Sequence, residues 1–386
     1  MDAHQKLVAL ADAARFDLSC ACGTKDNADH RRRGPDGLWL YPVALPSGGA
    51  SVMLKTLLSN ACANDCRYCP FRSQADVRRC TLSAEEVAGL FLETVRRLGV
   101  HGLFLSSAVV SDADRTMERM TAVARLLRRR HGYGGFLHLK VLPGASDAAI
   151  EDAVSLANAV SLNVEVPTGS AFARLSASKD YVRDIVRPIK LISRLTAPGS
   201  PRSRVKQTTQ FLVGASTETD GEIVRAMGRL YGRWGLSRVY FSAYQRGLGD
   251  PGLPGERAGL PPHALLTREH RLYQADWLLR KYGFQPHEIP LGPDGNLALD
   301  TDPKEVWAGR HPDFFPVDVN RASRGELLRV PGLGPVTVRR ILERRREGRL
   351  RGIEALGKPG KRLRRAAAYL DFGRHTRGTA PVASRS

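Results

Sequence analysis

Cys62, Cys66 and Cys69 fall within eight consecutive residues of the segment NACANDCRYCPFR, in the spacing CxxxCxxC. Thiolates ligate soft metals, and two chemistries suit three of them on one short loop. They can chelate a single zinc ion together with a distant fourth ligand. They can also hold three irons of a 4Fe-4S cluster and leave the fourth iron open to a small molecule. No further CxxC pair and no His-rich tract supplies an obvious fourth protein ligand. The remaining thiols say less. Cys20 and Cys22 in DLSCACG are too few for a second cluster and can be active-site groups, an auxiliary metal site or buried thiols, while Cys80 precedes a helix and reads as structural.

Other polar residues take their meaning from the elements that carry them. Short apolar runs beginning at Ser51, Gly102, Gly135, Ala159, Arg204 and Arg238 alternate with longer helical stretches, the first of which opens on a Ser83–Glu86 capping box. Six such alternations predict parallel βαβ units, and in these folds catalytic groups gather at the C-terminal ends of the strands. The cysteines follow the first strand in that position. In the fourth strand Val160, Leu162, Val164 and Val166 alternate with Ser161, Asn163 and Glu165. Helices outside the barrel bury the valine face, so Asn163 and Glu165 point inward, either to a ligand or to each other. His138 and Lys140 share the inward parity of the third strand. On a helical stretch beyond the barrel, Glu269, His270, Arg271 and Tyr273 line a channel or form a solvated face. His138, Lys140 and His270 are therefore the candidate catalytic side chains.

The chain has 386 residues, of which 42% are hydrophobic, and a formal charge of +20. It contains no apolar run of membrane-spanning length, and its N-terminus, a candidate amphipathic helix from Gln5 to Phe16, lacks the order of a signal peptide. A cytoplasmic, membrane-free protein with reduced thiols is the expectation. Residues 321–386 carry 18 Lys or Arg against 5 Asp or Glu, a local excess that points to a polyanionic partner. A GC-rich genome is the alternative source of the scattered arginines, but it does not explain the local excess.

In the same region Ser323 and Glu326 form a capping box before an apolar helix (Leu327, Leu328, Val330), the hairpin PGLG follows, and a second helix places Val338, Ile341 and Leu342 inward. Gly332 and Gly334, on either side of Leu333, let backbone amides up to Val336 converge on a phosphate at the second helix's N-terminus, with Arg339 and Arg340 adding charge. This stretch resembles a helix-hairpin-helix module, and IEALGKPGKRLRRAAAYL looks like a degenerate second copy. A helical module for protein–protein contact is the alternative.

The cysteine segment resembles the radical S-adenosylmethionine superfamily, whose signature is CxxxCxΦC with an aromatic before the last cysteine. Cys62, Cys66, Tyr68 and Cys69 match it, and the resemblance covers roughly residues 50–250. It implies a partial (β/α)6 TIM-like barrel and a 4Fe-4S cluster whose open iron takes the amino and carboxylate groups of S-adenosylmethionine. It further implies reductive cleavage of that cofactor to a 5′-deoxyadenosyl radical that abstracts hydrogen from substrate. By the same resemblance Asn163 and Glu165 hold ribose hydroxyls or the amino group, and Gly214 lets the backbone approach the adenosine unless it is a plain turn. Ser106 and Ser107 stand where members carry a GGE-like motif, so here hydroxyls or backbone carbonyls replace a carboxylate.

Over nearly the whole chain, FDLSC, GLFLSS, TREHRLYQADWLLRKYGF and VDVNRA with VPGLGP resemble a family of radical S-adenosylmethionine proteins associated with DNA modification or repair, which occur beside a uracil-DNA-glycosylase-like partner. The organisation this implies is an N-terminal extension (1–50), the barrel (51–250), an extension over it (251–315), a helix-hairpin-helix domain (316–375) and a disordered tail (376–386). The implied partners are nucleic acid, DNA ahead of RNA, and an electron donor such as flavodoxin or ferredoxin. A radical enzyme modifying RNA and a non-catalytic metalloprotein that binds nucleic acid are the alternatives.

Overall fold

The structure, a computed structural model, describes residues 1–17, 31–45, 48–257, 260–358 and 360–373. Cys20, Cys22 and the tail from 376 lie outside the described residues. The chain divides into two compact units, residues 1–273 with 294–296 and residues 274–293 with those from 297 onward.

The first unit opens with helix α1 (Ala3–Ala13), capped by Asp2 and Gln5, and strands β1 (Arg32–Arg33) and β2 (Trp39–Ala44). Then strands and helices alternate: β3 (Ala50–Leu57), α2 (Ala84–Leu98), β4 (Gly102–Ser106), α3 (Ala113–Arg125), β5 (Phe136–Lys140), α4 (Asp147–Leu156) and β6 (Ala159–Ser161). After β6 come α5 (Gly169–Ala173), α6 (Arg187–Leu195), β7 (Lys206–Val213), α7 (Asp220–Gly232), β8 (Arg238–Ala243), α8 (Pro254–Arg257) and α9 (Pro262–Tyr282), the last running on into the second unit.

The sheet order is β1 to β8 without a crossover. β1, β2 and β3 are antiparallel, and β3 through β8 are parallel. Among the described strands β8 pairs only with β7, so the barrel is partial. All six predicted strands are present. β1 and β2 are additions, in a stretch whose sequence reads as a loop. Proline inside a run argues against a strand, yet Pro42 sits opposite Val52 in the β2–β3 ladder.

β6 is shorter than its alternating sequence. The hydroxyl of Thr209 donates to the Leu162 carbonyl at 2.7 Å and accepts from the Val164 amide at 3.0 Å, taking the place of ladder bonds. The apolar face continues regardless, with Leu162, Val164 and Val166 all buried.

The cysteines lie on the loop from β3 to α2, whose two ends are held together. Asn60 accepts from the Cys80 amide at 2.7 Å and donates to the Arg78 carbonyl at 2.9 Å, beside a Ser59–Thr81 hydroxyl pair at 2.7 Å. The middle of the loop docks on residues 175–178. The Asp65 carboxylate accepts from the Ser176 and Ser178 hydroxyls (2.5 and 2.6 Å) and from the Ala177 and Ser178 amides (2.9 and 3.1 Å). The Arg67 amide donates to the Leu175 carbonyl at 2.8 Å.

In the second unit α10 (Pro303–Arg310), β9 (Val317–Asp318), α11 (Arg324–Arg329), α12 (Pro335–Glu347), a 3-10 turn (Ile353–Leu356), α13 (Lys361–Ala367) and β10 (Leu370–Asp371) follow one another, with β9 and β10 parallel. Leu327, Leu328, Val330, Val338, Ile341, Leu356 and Ala366 form its core. Lys304, only 6% exposed, donates from Nζ to the Leu333 carbonyl at 2.6 Å and lies over the Tyr282 ring.

Two titrations follow from these contacts. Burial of Asp65 opposes its charge, but the hydrogen bonds from Ser176, Ser178 and Ala177 prevail and hold its pKa at about 2, below its usual 3.8. Its stabilisation is therefore complete above the unfolded value and is lost as pH falls through the folded one. Denaturation of Asp65→Asn and the wild type should show a stability gap that is full above about pH 4 and closes toward about pH 2; a gap independent of pH would contradict it. Lys304 has the opposite sign, because burial lowers its pKa from 10.5 to about 7. Between those values the unfolded chain binds the extra proton, so stability rises from about pH 7 to about pH 10. Lys304→Met should flatten that rise in a pH series of melts.

Candidate functional site

Strand parity gathers the site. Leu57, Ser106 and Lys140 are the last residues of β3, β4 and β5, and together with Asn163, Glu165, Gln210, Leu212 and Ser242 they line one cavity at the C-terminal ends of the strands. The loop after β3 brings Cys62, Cys66, Tyr68 and Cys69 into the same cavity. Cys62, Cys66, Tyr68, Cys69, Ser106, Ser107, Asn163 and Glu165 thus stand together.

Glu165 has a left-handed backbone, φ 60°, unusual for a residue with a side chain. Its amide still donates to the Gln210 carbonyl at 3.1 Å and its carbonyl accepts from the Leu212 amide at 2.7 Å, so β7 imposes the conformation. The carboxylate accepts from the Tyr68 hydroxyl at 2.9 Å. Burial, with the Glu165 charge next to it, pushes the Tyr68 pKa well above its usual value, so the phenol stays a donor. Ser106 is buried, and the Ser107 hydroxyl donates to the Ala108 carbonyl at 2.7 Å.

Lys179 follows the docked 175–178 segment and donates from Nζ to Cys66 Sγ at 2.9 Å. Its burial opposes its charge, but the Cys66 sulfur, with Glu165 and Cys62 beyond, outweighs this and raises its pKa. Burial pushes the Cys66 thiol up as well, and burial together with the Cys66 charge pushes Cys69 up to about 12. Thiols in this setting ionise only when a cation takes the place of the proton.

Three thiols on one loop that share a cavity are a donor set that fits a 4Fe-4S cluster. A 4Fe-4S cluster spreads three sulfurs over three irons. Cys62, Cys66 and Cys69 would hold it, and Ser106, Ser107, Asn163, Glu165 and Lys179 line the same cavity.

The remaining candidates fall elsewhere. His138 shares the parity of Lys140 but lies deeper in the barrel, buried, with Nε2 at 2.9 Å from the Ser161 hydroxyl and its ring against Phe104. Only Lys140 of the pair lines the cavity. His270 is an exposed residue of α9 and does not line it. Gly214 is also absent from the lining. Its φ of 85° makes a turn in which the amide donates to Glu218 at 2.6 Å and a Cβ would meet Leu265 at 2.5 Å. Lys179, Gln210 and the edge-to-face pair Phe16–Phe71 line the cavity without having been singled out in sequence. Gln210 has a signal there, the inward parity of the fifth predicted strand; Lys179 has none.

In the second unit, Gly332 has φ 84°, and a Cβ on it would stand 2.2 Å from the Arg362 carbonyl oxygen. Leu333 is buried in the core, and Gly334 is the N-cap of α12, ahead of Pro335 and without a side-chain cap. Val336 is 62% exposed. Arg339 is exposed near Glu343, whereas Arg340 donates to the Leu356 carbonyl at 3.3 Å and ties α12 to the following 3-10 turn.

Comparison with known proteins bears on the first unit. No curated protein matches the sequence. Methylornithine synthase PylB is similar at 16% identity over 58% of this chain and 64% of its own, with a TM-score of 0.43. The FeFe-hydrogenase maturase HydG from Carboxydothermus hydrogenoformans is similar at 16% identity over 56% of this chain and 50% of its own, TM-score 0.41. A radical SAM methyltransferase from Sphaerobacter thermophilus is similar at 13% identity over 56% and 65%, TM-score 0.38. The chain thus spans half to two thirds of the length of these structures. Among the described residues no helix is long and apolar enough to cross a membrane. Residues 56–230 match the family model for the Radical SAM superfamily, whose cofactors, a 4Fe-4S cluster and S-adenosylmethionine, are those of this chain. That match begins inside β3 and ends inside α7, taking in the cysteine loop and β4 to β7, and this stretch of the chain is a radical SAM domain.

Proposed function

We propose that the chain cleaves S-adenosylmethionine reductively and directs the resulting radical at nucleic acid, DNA ahead of RNA, to repair or modify a base. The observation that carries the radical chemistry is three thiols in one cavity bordered by polar groups. When bound, the cluster supplies one electron to the sulfonium, giving methionine and a 5′-deoxyadenosyl radical that takes a hydrogen atom from substrate. The chain's own part is to hold and shield. Asn163 and Glu165 are assigned the ribose or amino group, Ser106, Ser107 and Lys179 the methionine end, with Tyr68 fixing the Glu165 carboxylate. Apolar walls at Leu57, Val141, Leu142 and Leu212 exclude water and so strengthen the polar contacts inside the cavity. Each cleavage consumes an electron, so a one-electron donor such as flavodoxin or ferredoxin is part of the proposal. A uracil-DNA-glycosylase-like protein is the partner to which the family resemblance leads.

The nucleic-acid part rests on the second unit, read as a helix-hairpin-helix. A helix leaves its first amides without internal partners, and α12 starts on Gly334 and Pro335 with no side-chain cap. A phosphate oxygen at the Val336 amide would use that vacancy, within a region carrying 18 basic against 5 acidic residues. Contacts of this kind are with the backbone of the polymer, so they position it without reading sequence.

Reconstituted without oxygen, the protein should bind about four irons and convert S-adenosylmethionine to 5′-deoxyadenosine and methionine. Alanine at Cys62, Cys66 and Cys69 should abolish both, and a zinc-bound, iron-free product would refute the reading. Glu165→Ala should weaken cofactor binding in calorimetry while leaving iron content unchanged.

For the hairpin, valine at Gly332 is uninformative because its Cβ would strike the Arg362 carbonyl. Val336→Glu is cleaner: an acid in the first turn favours the helix yet repels phosphate. Duplex affinity should drop, and the slope of log affinity against log salt should flatten by about 0.9 for each lost phosphate contact. Undiminished binding with a normal melt would leave only unspecific charge. Competition between DNA and RNA of one sequence decides the polymer.

A further inference from the structure

We infer that Arg79 is a positioning residue that gives the cysteine loop its metal-binding shape before any iron arrives. The inference rests on the reading of Cys62, Cys66 and Cys69 as cluster ligands. Loops rich in exposed carbonyls are ordinarily held open to water, and this one must also keep three thiols apart at a fixed spacing with no element of its own to do so.

The Arg79 guanidinium performs that task. Its Nη1 donates to the Asn60 carbonyl at 2.6 Å and to the Phe71 carbonyl at 2.9 Å. Its Nη2 donates to the Arg72 and Ala75 carbonyls, both at 2.8 Å. All four hydrogens of the two terminal nitrogens are thus used, on one plane, by carbonyls that lie on either side of the three cysteines. One bond reaches back before Cys62, and the other three fix the turn that follows Cys69. That turn also aims the Phe71 amide at Cys69 Sγ, 3.4 Å away. The outer clamp between Asn60 and Cys80 already closes the base of the loop. Arg79 fills the inside and sets its curvature, and a lysine ammonium, a point donor on a flexible stem, does not reproduce a planar fork.

A preformed loop has a measurable consequence in the full-length protein without iron. Trypsin sites after Arg67, Arg72 and Arg78 lie within it. Cleavage there should be as slow in the iron-free wild type as in the reconstituted protein, and rapid cutting confined to the iron-free form would overturn the inference without any variant. Arg79→Gln and Arg79→Lys should both lose iron to a chelator about 10- to 100-fold faster than wild type, followed by the cluster's visible absorption, while the melt of the iron-free protein moves little. If Arg79→Lys holds its cluster like the wild type, charge and not the fork is responsible and the inference fails. It also fails if both variants hold the cluster normally. Absence of a cluster in the wild type itself would instead overturn the functional reading, so the two failures are distinguishable.

Discussion

One carboxylate joins the two halves of the site. Asp65 lies between Cys62 and Cys66, and its four hydrogen bonds all go to residues 176–178. Because Lys179 is the next residue, this docking delivers its ammonium to Cys66. From the other side of the loop Tyr68 reaches Glu165. The thiols, the lysine and the carboxylate are therefore a single framework, although they come from segments more than 90 residues apart in sequence. Hydrogen bonds to an ionised acceptor are the stronger kind, and here they hold a loop that has no helix or strand of its own among the residues carrying the cysteines.

What was legible in the sequence is what repeats or is local. Alternation along the fourth strand brings Asn163 and Glu165 to the cavity even though the regular ladder stops at Ser161, because Leu162, Val164 and Val166 stay buried and pairing with β7 resumes at Glu165. The capping boxes at Ser83 and Ser323 are likewise local and form as read. Parity also put His138 and Lys140 on one face, but parity carries no depth. Two residues further along β5 separate a histidine packed on Phe104 from a lysine at the cavity. Lys179 was illegible for a different reason, since only the fold of the 175–178 segment onto Asp65 gives it a partner. β2, in a stretch that reads as a loop, carries Pro42, whose usual meaning in a strand is termination.

The second unit shows one residue meeting two demands. The left-handed φ of Gly332 suits a hairpin that turns its amides outward, and the absence of a Cβ lets the Arg362 carbonyl approach. A glycine there is thus required by packing alone, so its presence in PGLG does not by itself argue for a phosphate. The missing side-chain cap at Gly334 argues more, since Ser83, Ser146, Thr168, Thr219 and Ser323 all cap their helices. α6 and α13 also start without a side-chain cap, so both glycine-capped helices, α12 and α13, lie in the most basic region of the chain. Pro335 at the first position accounts for one absent amide and not for the others.

Charge in the cavity follows the same economy. Three thiolates on one loop would repel one another and the Glu165 carboxylate, and burial makes that repulsion costlier. Bound iron would relieve that repulsion. Lys179, bonded to Cys66, offsets what is left and at the same time offers an ammonium to the cavity that the carboxylate of an amino-acid ligand would complement. Remove that cation and the thiols are less readily ionised even with the loop intact. The geometry set by Asp65 and Arg79 and the charge supplied by Lys179 are thus separate requirements: the first decides where the sulfurs stand, and the second how readily they give up their protons.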